Sequence, residues 1–349
     1  MAQPPPPGRE TVRFRGVRWL ALAAACGWSA TAAADIPLGA DTVARFADVA
    51  DGVRALTVRD DFIQNLSPFD RQVLVRTDRD VSEAEFLEFV SRHVLPWTAA
   101  EIDQLTPLLA DLAKKLAPWK LALPGVVLLV KTDGQECAHA AYCRGAAIVL
   151  PLRILRGPRL QHILPHELFH VWSSHNAEPR QALYRSIGFE RTNVVPLPPA
   201  LAARKITNPD APLNNQFITV TQDGRQMELM PILFSKLPRY DVARGGTLFD
   251  YLQFKLMALE NNDGTRRPLV MGDQPVLLEP ASVPGFNEQV GRNTKYLIHP
   301  EEILADNFVF LVEGRINLPS PRVVEQMGRI LQAAAANPRE GRASDAKIN

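Results

Sequence analysis

The sequence His166-Glu167-Leu168-Phe169-His170 is an HExxH pentad. Residues four apart on an α-helix lie one above the other, so both imidazoles would leave one face at a separation that a single tetrahedral zinc ion bridges. Glu167 would then stand beside the metal without ligating it, placed to take a proton from zinc-bound water. The competing reading is a surface helix with two solvated histidines. The apolar flank of Leu164, Leu168, Phe169 and Val171 weighs against it.

A catalytic zinc needs a third protein ligand and one open position. His162 is one turn before His166, but Pro165 disturbs that turn, so it reads as a neighbour. His175 does not fit the longer metzincin pattern, because Ser173 and Asn176 stand where glycine and histidine belong. Glu190 follows His170 at a compatible interval but comes after Gly188-Phe189, where a helix has ended. Glu302 fits better: Pro300 can start a helix on which Glu302 and Asp306 are one turn apart, the first binding zinc and the second orienting a ligand histidine. Glu301 points about a quarter-turn away and has Ala305 four residues later.

The two motifs together, His166-Glu167-x-x-His170 and Glu302-Ile303-Leu304-Ala305-Asp306, resemble the gluzincin branch of the zincin metallopeptidases. The resemblance covers two short motifs about 130 residues apart, a longer interval than in the thermolysin-like members. It implies a Zn2+ cofactor, a zincin-type core and hydrolysis of a peptide or protein substrate, with Glu167 as general base. Some gluzincins place a tyrosine shortly before the ligand glutamate. Tyr296 is therefore expected to help stabilise the oxyanion, with His299 a weaker candidate and ring packing the competing role for the tyrosine. Zincins also bind substrate along an edge strand ahead of the HExxH helix, and Ala146–Leu150 lies in that place. The rival functions are a zincin-like envelope binding or scaffold protein with little turnover, and a zinc hydrolase of a non-peptide bond.

The elements that must position these residues give an α+β expectation. This is a zincin-like domain with a mixed sheet beside the HExxH helix and additional β-hairpins between the two motif helices. Residues 35–120 read as a helical amino-terminal part. Within it, Ser82 with Glu85 forms a capping box ahead of Phe86, Phe89, Val90 and Val94 at helical spacing, and a second helix runs from Thr98 through Leu116. Residues 121–336 would carry the metal site. Val126–Val130 reads as a buried strand, and Ala146–Leu150 as its partner. A helix from Gly157 to about Ser174 holds the pentad, with Pro165 kinking or restarting it. The segment 177–210 is proline-rich with little periodicity, and Asn208-Pro209-Asp210-Ala211-Pro212 reads as a rigid turn. A hairpin spans about 217–234, and Phe249–Leu259 and Val276–Leu278 add strands. Helices at Pro300–Val312 and Ser320–Ala336 follow, then a polar tail, 337–349, expected to be disordered.

Composition narrows the class. The 349 residues carry Lys+Arg 39 against Asp+Glu 38, with 46% hydrophobic and 22% charged residues, which excludes a nucleic-acid-steering or disordered chain. Residues 1–34 read as a cleaved signal peptide: arginines at 13, 15 and 18, an apolar stretch from Trp19 to Trp28, then Ala32-Ala33-Ala34. Its removal deletes four arginines and Glu10, moving the net charge from +1 to −2. The product is expected in the periplasm or secreted, without a transmembrane segment. Ala23-Ala24-Ala25 before Cys26 weakly resembles a lipid-attachment box, and ordinary signal filler is the favoured alternative. The remaining cysteines, Cys137 and Cys143, are expected to close a small disulfide loop.

Overall fold

The computed structural model describes residues 34–222 and 224–336. The expected signal peptide, Cys26 and the polar tail lie outside the described residues, Ala34 of the signal excepted. The chain opens on two short strands, β1 (Ile36–Pro37) and β2 (Val43–Phe46). Four helices follow: α1 (Val49–Leu56), α2 (Asp61–Asn65), α3 (Pro68–Val75) and α4 (Glu83–Arg92), the last starting at the Ser82/Glu85 capping box. Then come β3 (Val94–Leu95), α5 (Ala99–Leu116) with a second capping box at Thr98 and Glu101, and β4 (Val126–Thr132). The expectation of helix throughout 35–119 therefore missed β1, β2 and β3, which are too short to show a period.

Strands β5 (Tyr142–Arg144) and β6 (Ala147–Pro151) complete the first sheet, whose order is β1-β2-β4-β6-β5 with β3 on the end of β4. Pairs β2–β4 and β4–β6 are parallel, and β1, β3 and β5 join antiparallel. The central strand is apolar on both faces. Val127 and Leu129 face one core with α5 and the metal-site helices, while Val130 faces a second core built from α1 to α4. Full burial of each such side chain stabilises the fold by about 1.5–3 kcal/mol. Helices α1 to α4 thus cover one face of the sheet, while α5 lies on the other face, with the HExxH helix.

After β6 the chain forms α6 (Leu152–Leu155), α7 (Leu160–His175) and α8 (Ala177–Ser186). Pro165 neither breaks nor restarts α7. Next come β7 (Phe189–Arg191), α9 (Pro199–Ala202), β8 (Gln216–Gln222) and β9 (Arg225–Ser235). Then α10 (Leu248–Tyr251) leads into β10 (Leu252–Asn262), β11 (Thr265–Pro268), β12 (Val270–Met271), β13 (Gln274–Pro275) and β14 (Leu277–Leu278). The second sheet is antiparallel, β11-β10-β9-β8-β7 with β14 on β10, and is the hairpin insertion expected between the motif helices. Three helices close the described chain: α11 (Pro284–Val290), α12 (Pro300–Val312) and α13 (Pro321–Ala336). The fold is α+β with mixed strand pairing. Among the described residues no helix is long and apolar enough to cross a membrane.

Candidate metal centre

Helices α7 and α12 carry His166, Glu167, His170, Glu302 and Asp306, and their apolar sides hold them together. Phe169 is fully buried, 5.5 Å from Phe308 and 5.8 Å from Trp172 between ring centroids. Ile303, Leu304, Ala305 and Val309 of α12 are also inaccessible. His299 caps α12, its Nδ1 accepting from the Glu301 N–H at 3.1 Å, and Pro300 occupies the first turn, where its missing N–H costs nothing. Burial lowers the His299 pKa to about 4, against the pull of Glu301 and Glu302, which keeps this ring neutral and able to accept.

Two imidazoles and one carboxylate converge. His166 Nε2 lies 3.3 Å and His170 Nε2 3.7 Å from Glu302 Oε2, and the potential ligand atoms of the three residues all fall within 4.8 Å of one another. The other ring nitrogens are held from behind. His166 Nδ1 is 3.1 Å from Asp306 Oδ1, and His170 Nδ1 is 3.0 Å from Glu301 Oε1. With each Nδ1–H donating to its carboxylate, Nε2 presents the lone pair inward. Thr294 Oγ1 donates to Asp306; Ser173 Oγ (2.8 Å) and the Tyr184 hydroxyl donate to Glu301 Oε2. Asn208 Nδ2 donates to Glu302 Oε1 at 2.7 Å, leaving Oε2 turned toward the imidazoles.

The electrostatics favour positive charge at this point. Burial works against a protonated His166, yet the Asp306 and Glu302 carboxylates lift its pKa to about 10. Burial opposes the charged form of Glu302 as well, and the two imidazoles overcome it, holding the carboxyl below its usual range. A divalent cation answers the same field. The donor set, two nitrogens and one carboxylate oxygen with every outer polar atom already bonded, fits zinc in its three-ligand catalytic form.

Glu167 is 4% exposed, and burial pushes its carboxyl pKa up, with the nearby imidazoles pulling the other way. Its carboxylate, the Cys143 thiol and the Asp210 carboxylate lie within 4.8 Å of one another. Cys143 Sγ donates to the Glu167 carbonyl oxygen at 3.1 Å, and burial drives the thiol pKa well up, so it stays neutral. Cys137 and Cys143 are both free, which corrects the expected disulfide. They sit on separate elements, and the Cys143 thiol is turned toward α7. Ala138 and His139, in the loop between the two cysteines, take left-handed backbone conformations at φ +51° and +61°.

The residues weighed against Glu302 lie elsewhere, and one expectation changes. Glu190 lies on β7, exposed and away from the histidines. His162 pairs with Glu313 at 3.3 Å, and His175 Nδ1 contacts the Val171 carbonyl at 2.8 Å, so neither joins the centre. Ala146–Leu150 is not an edge: β6 is covered by β5, and the Cys143 N–H on that outer strand already donates to Asp210 Oδ1 at 2.8 Å. Tyr296 does line the cavity that His166, Glu167, His170 and Glu302 face, as do Asn208 and Asp210. The 208–212 segment is a turn, with the Asp210 N–H donating to Asn208 Oδ1 at 3.0 Å, but both side chains also serve the site. Glu301, Asn208 and Asp210 are the residues that spacing missed.

The chain matches no family model, no curated protein and no solved structure.

Proposed function

We propose that this chain is an exported zinc-dependent metallopeptidase with a zincin-type core, its metal held by His166, His170 and Glu302. The observation that carries the reading is the convergence of two Nε2 atoms and one carboxylate oxygen, each buttressed from behind, with Glu167 beside them. When bound there, zinc would acidify a water and polarise a carbonyl. Glu167 is placed to take the water proton and later deliver it to the leaving amine, as the C–O bond forms and the C–N bond breaks. The raised pKa of its buried carboxyl suits the second half of that cycle, when it must act as an acid. Asp306 and Glu301 keep both imidazoles in the ligating tautomer, and Asn208 keeps Glu302 turned inward. Tyr296 lines the same cavity and is our candidate for the second donor to the oxyanion.

Metal analysis tests this. About one zinc per chain is expected, lost in His166→Ala and retained in Glu167→Gln, which should bind metal without hydrolysing peptides. A wild-type chain that takes up no zinc overturns the proposal.

A further inference from the structure

The cavity above the metal residues has one open question, which end of a peptide it accepts. The cavity encloses about 190 Å³, and Phe62, Leu74, Ile206, Leu233 and Leu252, with the more exposed Phe249, give it an apolar side. Among the described residues no lysine or arginine lines it, and the carboxylates facing it besides Glu302 and Glu167 are Asp70 and Asp210. Asp70 is fully engaged, accepting from the Ser67 N–H, the Thr207 N–H and the Thr207 hydroxyl. Asp210 has one oxygen on the Cys143 N–H, and its carboxylate lies within 4.8 Å of that of Glu167. Two carboxylates at that distance, in a cavity whose basic side chains are His166 and His170, both turned toward Glu302, form a site that attracts a cation.

The segment carrying Asp210 is pinned along the side of this cavity. Thr207 is tied to Asp70 at 3.1 and 2.8 Å, Lys205 Nζ donates to the Pro212 carbonyl at 2.7 Å, and Asp210 occupies the Cys143 N–H on the outer strand. A peptide passing through the site in extended form would need that strand edge free.

Resting on the peptidase reading, we infer that the site takes the free amino terminus of a peptide: Asp210 binds the α-ammonium and the apolar cavity holds the first side chain. The α-nitrogen is only two bonds from the carbonyl carbon under attack, so its carboxylate partner must stand close to the metal and base, as Asp210 does. A lysine or arginine side chain would carry its charge away from that acid and into the apolar wall. A substrate carboxylate placed beside Glu167 and Asp210 would meet like charge.

The test uses the zinc-loaded protein with leucyl-aminomethylcoumarin, its N-acetyl derivative and an internally quenched peptide blocked at both ends. The free-amine substrate should be cleaved roughly 10- to 100-fold better in kcat/KM than the acetylated one, and Asp210→Asn should erase most of that ratio, chiefly through KM. Calorimetry on Glu167→Gln gives a readout without turnover: leucinamide should bind and N-acetyl-leucinamide should not. Equal cleavage of blocked and free substrates overturns the amino-terminal assignment and leaves the peptidase reading standing. A zinc-loaded protein that cleaves none of the three takes both down.

Discussion

Glu301→Gln puts the support behind the metal site to its hardest test, because the substitution keeps shape and leaves no orientation of the new amide that satisfies every partner. In the native site Glu301 Oε1 accepts from His170 Nδ1 at 3.0 Å, while Oε2 accepts from Ser173 Oγ at 2.8 Å and from the Tyr184 hydroxyl, all of them buried. If the glutamine oxygen stays on His170, its NH2 faces two hydroxyls that have lost their acceptor. Each orphaned buried donor costs about 1–3 kcal/mol, so with two of them apo-protein stability should fall by roughly 2–6 kcal/mol. If the amide flips, the hydroxyls are satisfied, but the NH2 then forces His170 to accept at Nδ1 and to carry its proton on Nε2. That is the wrong tautomer for a ligand, and zinc affinity should fall by about 10- to 100-fold or more. Asp306→Asn is milder, because Thr294 is only part-buried, so its hydroxyl can accept from the new amide and turn its own proton to water, which the buried Ser173 and Tyr184 cannot do. Its loss should stay near tenfold in zinc affinity with little effect on stability. Urea unfolding in the presence of a chelator, with zinc competition against a chromophoric chelator, reads both quantities. A Glu301→Gln protein unchanged in both would refute the reasoning, as would an Asp306→Asn protein more damaged than Glu301→Gln.

Three further outcomes are expected. Lys131 is 5% exposed and donates to Glu101 Oε2 at 2.7 Å. Burial opposes the Glu101 charge, but Lys131 and the Thr98 donors outweigh it and hold the carboxyl below its usual range. The pair's stabilisation is therefore present above the unfolded carboxylate pKa and lost as pH falls through the lower folded value. Glu101→Gln should destabilise by about 1–3 kcal/mol near neutrality, less than a fully buried pair because Glu101 is partly exposed, and the gap to wild type should close toward pH ~3 in urea titrations. Phe169→Ala empties the contact between α7 and α12 and should cost about 3–5 kcal/mol by denaturant unfolding, with weaker zinc binding alongside. Reduction with dithiothreitol should leave the melting temperature unchanged, and Cys137 and Cys143 should both react with a thiol reagent in the unfolded chain without prior reduction. An intact mass two protons short of the reduced value would contradict the free thiols.

The parts of the fold with a strong local signal were legible. Helix α12 begins and ends where Pro300 and Val312 were expected to bound it, and the capping boxes at Ser82 and Thr98 lie where their spacing placed them. The buried run Val126–Val130 became the centre of a sheet, and the strands between the motif helices became a second one. Misses fell where pairing is decided at long range. Strand β2 is four residues long and is a strand because it lies beside β4 in parallel register, Val43 to Val126. Helix α8 has a polar composition with no clear period and is held by Leu183 and Tyr184 docking into the core. The outer position of β5 beyond β6 could not be read from two short apolar segments joined by a loop.

The same division runs through the site. Glu302 and Asp306 were readable because both act on the face of α12 turned toward the histidines, and a one-turn spacing records that. Glu301 was set aside for pointing a quarter-turn away, and that rotation is what it needs. The Nε2 atoms of His166 and His170 point inward to a common centre, so their Nδ1 atoms point outward in different directions, and the two acids behind them cannot share one helix face. Asp306 serves His166 from the face of Glu302; Glu301, rotated from it, serves His170 where Ser173 and Tyr184 come to meet it. Only the position of α8, which brings Tyr184, decides that a carboxylate there is bonded rather than stranded. Asn208 and Asp210 lie further still from any local rule. Their prolines announce a turn, and the turn is present, but what it faces depends on Thr207 reaching Asp70 and Asp210 reaching Cys143, contacts 137 and 67 residues apart in the chain. A spacing motif can record which residues share one helix face, whereas the groups that hold the ligands in place and the acid we assign to the substrate ammonium come from elements that only the folded chain brings together.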